Sequence, residues 1–284
     1  MAAILMHCGP GDHHPARRLW LFSGTGDGPP LARAVLEQGW QLRVSVVTAD
    51  AARAYPAHPR LELQVGALGG SEPLQRALEA AGLEGRPFRA VIDAAHPFAE
   101  AIHRQLEQGC GRAGVPLLRL VRAGTAGREP PGGVHWLEQL ADLAAADLAG
   151  RRLLLAIGAR QLAEAVAVTA GALHHARVLP RPGALQQALR AGVAAERLAC
   201  LQPLAQADAV EAALVRRWRI EAIVARQSGP PTETLWRRVA ESQGCRLLLL
   251  RQPPPGRARS TAPRTGTLAE LERLLAAWSV ASPA

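Results

Sequence analysis

Residues 89–102 read RAVIDAAHPFAEAI. The apolar run Ala90–Ile92 ends in a carboxylate, Asp93, followed three residues later by an imidazole, His96, and then by Pro97. A carboxylate can orient an imidazole, and an imidazole can position a reactant or move a proton near neutral pH. Pro97 holds the residue before it extended and suits the first turn of a helix. The same residues also make sense as a local turn in which Asp93 and His96 satisfy backbone groups. Position decides between the two readings, because ligands in open α/β sheets bind beyond the carboxyl ends of the strands.

A second stretch, LWLFSGTGDGPPLARAV, places Gly24, Thr25, Gly26, Asp27 and Gly28 between an apolar strand and a helix. Glycines there permit tight turning and close backbone approach, so amide donors and a helix N-terminus can face a pyrophosphate. The spacing is G-x-G-x-G rather than G-x-G-x-x-G, and Asp27 beside a phosphate must turn away or contact a ribose. A third stretch, VVTADAARAYP, supplies Thr48, Asp50 and Arg53 at the end of the second strand. An acid in that place favours a free ribose 2′-hydroxyl and an arginine accommodates a 2′-phosphate, so the residues alone leave NADPH and NADH both open. A helix cap by Asp50 with a solvated Arg53 is the plain alternative. In the second half, AIGARQL, RVLPRP and ARQSGPPTE bring Gly158, Arg160, Arg177, Arg226, Ser228 and Gly229 just beyond further strands. Each could be a surface turn, but their recurrence at strand ends suggests a site for acidic groups or amides.

The elements that must position these residues alternate along the chain. Strands are expected at 19–22, 41–47, 61–65, 89–93 and 115–121, with helices at 31–39 and 71–82 and a further helix carrying Phe98, Ile102, Leu106 and Cys110 every four residues along one face. AGTAGREPPGG, 123–133, interrupts the pattern as a linker. Strands then return at 152–158, 174–179, 197–201, 220–225 and 245–250, and a last helix covers 268–278. Strand–helix alternation implies parallel sheets covered on both faces. The expected fold is α/β: two doubly wound, Rossmann-like domains with a cleft between them. Residues 1–18 form an extension, 19–128 a dinucleotide-binding domain and 129–284 a second, substrate-binding domain.

Composition narrows the chemistry. All 33 basic residues are arginine and lysine is absent, which excludes a Walker A loop, a pyridoxal Schiff base and a Tyr-x-x-x-Lys dyad. The net charge of +9 fits a polycarboxylate substrate, since arginine forks match carboxylates, and fits an arginine-biased genome as well. Nucleic acid is disfavoured by scattered arginines and 4% aromatic residues. Cys8, Cys110, Cys200 and Cys245 form no CxxC pair, and no element fixes His7, Cys8, His13 and His14, so no metal site is expected and the chain suits a reducing cytoplasm. No apolar run is long enough for a membrane span, and MAAILMHCGPGDHH lacks the basic start of a signal peptide.

Together these stretches resemble the precorrin-6A reductase family of cobalamin biosynthesis. SGTGDGPPLA is similar to the family's G-T-x-E-G-R-x-L-A opening, with Asp27 for glutamate and Pro29 for arginine. TADAAR matches its second-strand turn at Thr48, Ala51 and Arg53, with Asp50 for an apolar residue. VIDAAHPFA resembles I-D-A-T-H-P-F/Y-A, with Ala95 for threonine, and it is the most specific of the matches. VPLLRLVR, RVLPRP and the closing VARQSGPPTE…RQP follow in family order, with Arg226 for lysine. The resemblance implies an NADPH-dependent reductase that adds hydride and a proton across one double bond of precorrin-6A or its cobalt form. It implies Asp93 and His96 at the nicotinamide end, with positioning as their first role and proton donation by His96 as the second. Two other readings stand beside it: a reductase of another large acidic substrate, and a regulatory module that binds NADP(H) without turnover.

Overall fold

Arg18–Ser23 is buried at every position, as a parallel strand covered on both faces must be. It is the first strand of a computed structural model that describes residues 17–24, 26–121, 133–202, 208–253 and 264–280. Thr25, the residues before Arg17 and all of the expected linker except Gly133 lie outside the described residues. In chain order the elements are β1 (Arg18–Ser23), α1 (Gly28–Glu37), β2 (Gln41–Val46), α2 (Ala49–Ala52), β3 (Leu61–Val65), α3 (Ser71–Leu83), β4 (Ala90–Ala94), α4 (Glu100–Ala113) and β5 (Leu117–Leu120). They continue with β6 (Val134–Leu137), β7 (Arg152–Leu155), α5 (Leu162–Val168), β8 (Leu173–Val178), α6 (Pro182–Arg190), β9 (Leu198–Cys200) and α7 (Asp208–Trp218). The chain closes with β10 (Ala222–Arg226), α8 (Thr232–Gln243), β11 (Arg246–Leu250), β12 (Arg264–Gly266) and α9 (Leu268–Val280).

Two compact units result, one from the described residues through Val121 together with 264–280, the other from 133–253. Each holds an all-parallel sheet of six strands, in the orders β12-β5-β4-β1-β2-β3 and β6-β11-β10-β7-β8-β9. Read outward from β1, the first sheet runs 3-2-1-4-5, the order of dinucleotide-binding sheets, and the second repeats it from β7. The fold is therefore a pair of Rossmann-like α/β units.

In the first unit, alternation along the strands sends side chains to opposite faces. Leu19, Leu21, Ile92 and Leu118 pack with Leu31 and Val35 of α1 and Leu271 and Leu275 of α9. Trp20, Phe22, Val91 and Leu117 pack with Leu74 and Leu78 of α3 and Leu106 and Cys110 of α4. Each large side chain removed from water in this way contributes about 1.5–3 kcal/mol. Three residues of the expected stripe lie on α4, with Leu106 and Cys110 buried and Ile102 packed beside them, but the helix begins at Glu100, so Phe98 falls in the turn before it. Gly114, in the left-handed region at φ 65°, ends α4.

The sixth strands differ from the sequence expectation. Residues 129–284 were expected as one domain, yet β12 pairs with β5 and α9 covers the first sheet, while β6 pairs with β11 in the second. The first sheet thus takes its sixth strand from beyond the second unit in the chain, whereas the second sheet takes its sixth strand from the start of its own unit. Both strands are short, Arg264–Gly266 and Val134–Leu137, which is why periodicity alone passed over them. Among the described residues no helix is long and apolar enough to cross a membrane.

Candidate active site

The strand order reverses in the first sheet between β1 and β4, and register places Ser23 opposite Ala94 there. The glycine turn and the Asp93–His96 turn therefore leave the sheet side by side, at the edge where such sheets bind ligands.

The three described glycines of the first turn divide into two kinds. Nothing lies within 4 Å of where a Cβ would stand on Gly24 or Gly26, so their backbone can be approached closely. Gly28 is the opposite: a Cβ there would collide with the hydroxyls of Ser23 and Tyr55. Gly28 is buried, and as the first residue of α1 it lets the helix start close to Ser23 and Tyr55. Tyr55 hydrogen-bonds Ser23, and burial pushes its phenol upward against that bond. Asp27 stands at the N-cap of α1, with prolines in the helix's first turn.

Beyond β2, Thr48 rather than Asp50 caps the short α2, its hydroxyl accepting from the Ala51 amide at 3.3 Å. Asp50 and Arg53 form a 2.7 Å ion pair in the open, with side chains 82% and 79% exposed. Such a pair contributes little to folding and leaves both groups accessible.

Asp93 is 0% exposed, so it lies beneath the turn and does not line the site. Register aligns it with Arg119 of β5, whose Nε donates to Asp93 Oδ2 at 2.9 Å. His103 Nδ1 lies 2.7 Å from the same oxygen, and Oδ1 accepts from the Ala95 amide at 3.1 Å. Arg119 is held in turn by Glu107 of α4 at 3.0 Å. Burial alone would raise the Asp93 carboxyl, but His103, Arg119 and the Ala95 amide outweigh it and hold the group below the usual carboxylate range. An ionised carboxylate with this many donors anchors the structure around it. His96 is half-buried above it; its Nδ1 accepts from the Phe98 amide at 3.2 Å and its ring stands 5.8 Å from that of Phe98.

The second sheet reverses between β7 and β10, and the sequence-predicted residues gather at that point. Gly158, at φ 79°, follows β7, and a Cβ on it would stand 3.6 Å from the Arg226 guanidinium. Arg226 hydrogen-bonds Gln161 and is pushed down to about 10 by burial and then by Arg160. It remains cationic at neutral pH, and Arg160 adds a second positive charge beside it. Ser228 and Gly229 are buried within the turn itself; the Gly229 amide donates to Glu233 Oε2 at 3.1 Å. Glu233 Oε1 accepts from Arg237 Nε at 3.0 Å and Nη2 at 2.9 Å. Arg177 is placed otherwise: half-buried in β8, it pairs with buried Glu211 of α7 at 3.3 Å and ties strand to helix.

The residues missed from sequence are the partners: His103, Glu107 and Arg119 around Asp93, and Glu233 with Arg237 beneath Gly229. A charge in the middle of an apolar strand, as in LLRLV, was the signal for Arg119. Among the described residues no cluster of His, Cys, Asp and Glu could hold a metal ion.

The family model for precorrin-6x reductase CbiJ/CobK matches residues 18–276. A cobalt-precorrin-6A reductase of Synechocystis sp. is 32% identical, over 83% of this chain and 88% of its own length. A precorrin-6A reductase of Rhodococcus erythropolis is 31% identical, over 84% of this chain and 90% of its own. The solved structure of a CobK precorrin-6A reductase superposes with a TM-score of 0.70 at 26% identity, covering 94% of this chain and 99% of that one. Two Rossmann-like units, the paired turns at β1 and β4 and these matches across nearly the whole chain lead to one conclusion: it belongs to the precorrin-6x reductase CbiJ/CobK family.

Proposed function

We propose that this protein saturates one carbon–carbon double bond of precorrin-6A, or of its cobalt form, with NADPH bound at the first sheet. The observation that carries the reading is the parallel pairing of β1 with β4, which sets the open glycine turn beside the His96 turn at the reversal of strand order. A nicotinamide dinucleotide fits there because Gly24 and Gly26 leave their backbone bare, and α1 opens at the same place. When bound it supplies the hydride, and the neighbouring ring carbon receives a proton.

The chain's own contribution is position and charge. Gly24 and Gly26 admit the diphosphate, and the exposed Arg53 favours a 2′-phosphate, hence NADPH, with Asp50 beside it as the counterweight. His96 orients the reacting partners, a role that requires no change of its protonation. Arg226 and Arg160, beside Gly158, meet the carboxylates of the acidic macrocycle, where a cation withdrawn from water acts more strongly than one in it.

The test is macrocycle-dependent oxidation of NADPH, run with metal-free and cobalt-containing precorrin-6A. Turnover with one of them, reduced about tenfold or more in His96→Ala while NADPH affinity stays within about threefold, is the expected result. No oxidation with either macrocycle would overturn the substrate assignment; full turnover in His96→Ala would return that turn to a structural role.

A further inference from the structure

His103 stands in the first turn of α4, seven residues beyond His96, and both of its ring nitrogens face oxygen. Nδ1 is 2.7 Å from Asp93 Oδ2, and Nε2 is 3.1 Å from the carbonyl oxygen of His96. The far side of that carboxylate is fixed by Arg119 at 2.9 Å and by the Ala95 amide at 3.1 Å. Arg119 is fixed by Glu107 at 3.0 Å. The contacts therefore run from β5 through β4 and α4 to one backbone oxygen in the turn at the dinucleotide edge.

That oxygen matters because of the residue after it. The His96–Pro97 peptide has no N–H, so its carbonyl is the polar group by which the plane can be held. It accepts from the Ala99 amide at 2.8 Å and lies in reach of His103 Nε2 on its other side. Holding the carbonyl fixes ψ of His96, and with ψ fixed the direction in which the imidazole leaves the backbone is restricted.

We propose that His103 is the positioning residue for the turn that carries His96, tying the His96 carbonyl to the anchored carboxylate of Asp93. A doubly protonated ring makes both bonds; a neutral ring has one N–H and serves one of the two as donor. Both partners are acceptors, so the tether from Asp93 to the carbonyl is carried by the doubly protonated ring, with the buried carboxylate as the fixed post. The proposal rests on the reading of His96 as the residue that orients the reactants.

Full-length His103→Phe and His103→Gln separate the possibilities. Phenylalanine keeps the bulk and removes both nitrogens, while glutamine keeps a donor near the place of Nε2. His103→Phe is expected to lower kcat about tenfold, with the KM for the macrocycle and the affinity for NADPH shifted by less than about threefold. His103→Gln should recover most of that loss. Hydrogen exchange at the Ala99 amide, which donates to the same carbonyl, should accelerate in the phenylalanine variant and return toward wild type in the glutamine variant. A folded His103→Phe protein with unchanged kcat and unchanged exchange would overturn the proposal, as would a glutamine variant no better than phenylalanine. The two readings fail differently. Full turnover in His96→Ala removes the role of His96, whereas accelerated exchange at Ala99 in His103→Phe reports the tether whatever His96 does.

Discussion

The two sheets share a strand order and a reversal point but line that point with opposite chemistry. At the first, Gly24 and Gly26 present bare backbone, Arg119 is buried against Asp93, and Arg53 stands off beyond β2 in solvent. At the second, Gly158 is backed by the Arg226 guanidinium with Arg160 beside it. One edge offers peptide dipoles and a helix start, the other offers charge. A diphosphate approached closely from several sides suits the first; scattered carboxylates on a large ring suit the second. Below the surface the two units converge again. Each uses a buried carboxylate paired with a buried arginine near the turn at its reversal point, Asp93 with Arg119 after β4 and Glu233 with Arg237 after β10. The carboxylates come from different places, the end of β4 and the first turn of α8, so the topology sets the task and the local sequence chooses the residue.

The largest effects should come from these carboxylates. Asp93→Ala strands Arg119 and His103 beside a buried void and should cost about 3–5 kcal/mol, measured by chemical denaturation. Glu233→Ala should cost about 3 kcal/mol, because Arg237 keeps its place over the Trp136 ring at 5.5 Å. A wild-type midpoint in either variant breaks the parallel. The acid side gives an independent check. The folded Asp93 carboxyl titrates below its unfolded value, so its stabilisation is complete above the ordinary carboxylate pKa of about 3.9 and is lost as pH falls through the folded value. Asp93→Asn should flatten the stability–pH curve in that acid window.

Next in size is the contrast inside the glycine turn. Gly28→Ala forces a methyl group against Ser23 and Tyr55 and should cost about 1–3 kcal/mol of stability. Gly26→Val should fold within about 0.5 kcal/mol of wild type, because nothing lies within 4 Å of a Cβ there, and on the proposed reading it should lose dinucleotide affinity severely. If titration of folded Gly26→Val shows unchanged affinity, the turn is not part of the site and the difference between the two sheet edges loses its functional meaning.

This contrast also marks how far the sequence could be read. Hydrophobic alternation placed the central strands and main helices because each carries enough buried side chains to show its period. LELQV was read at 61–65 and is Leu61–Val65, and RAVID was read one residue early. The motifs at the strand ends were legible as glycine, proline and charge in the right places. What was not legible is which of those groups face outward. G-x-G-x-G looks uniform, yet Gly28 is packed and Gly24 is open, a distinction made by Tyr55 from a loop 27 residues away. Likewise Arg177 and Arg226 look alike until α7 supplies Glu211 to the first. β6 and β12 escaped for another reason: short edge strands bury little, and which sheet each joins is decided by tertiary pairing.

The smallest expected effect concerns the turn after β2, where the units differ once more. The second unit's β8 runs into Leu179-Pro180-Arg181-Pro182 and starts α6 on a proline, with no acid in the turn. The first unit puts Asp50 2.7 Å from Arg53. If Arg53 favours a 2′-phosphate, Asp50 both orients the guanidinium and repels the ligand, and the two effects oppose each other. Orientation of an exposed pair is worth little, whereas a carboxylate several ångströms from a phosphate in water costs somewhat under ~1 kcal/mol for each unit of charge. Repulsion should therefore win. Asp50→Asn should raise NADPH affinity by about threefold and leave NADH affinity and stability unchanged, while Arg53→Ala should weaken NADPH by about tenfold and spare NADH. A loss of NADH affinity in Asp50→Asn would reverse the assignment, because it would mean the carboxylate holds a ribose 2′-hydroxyl and the site is built for the unphosphorylated dinucleotide.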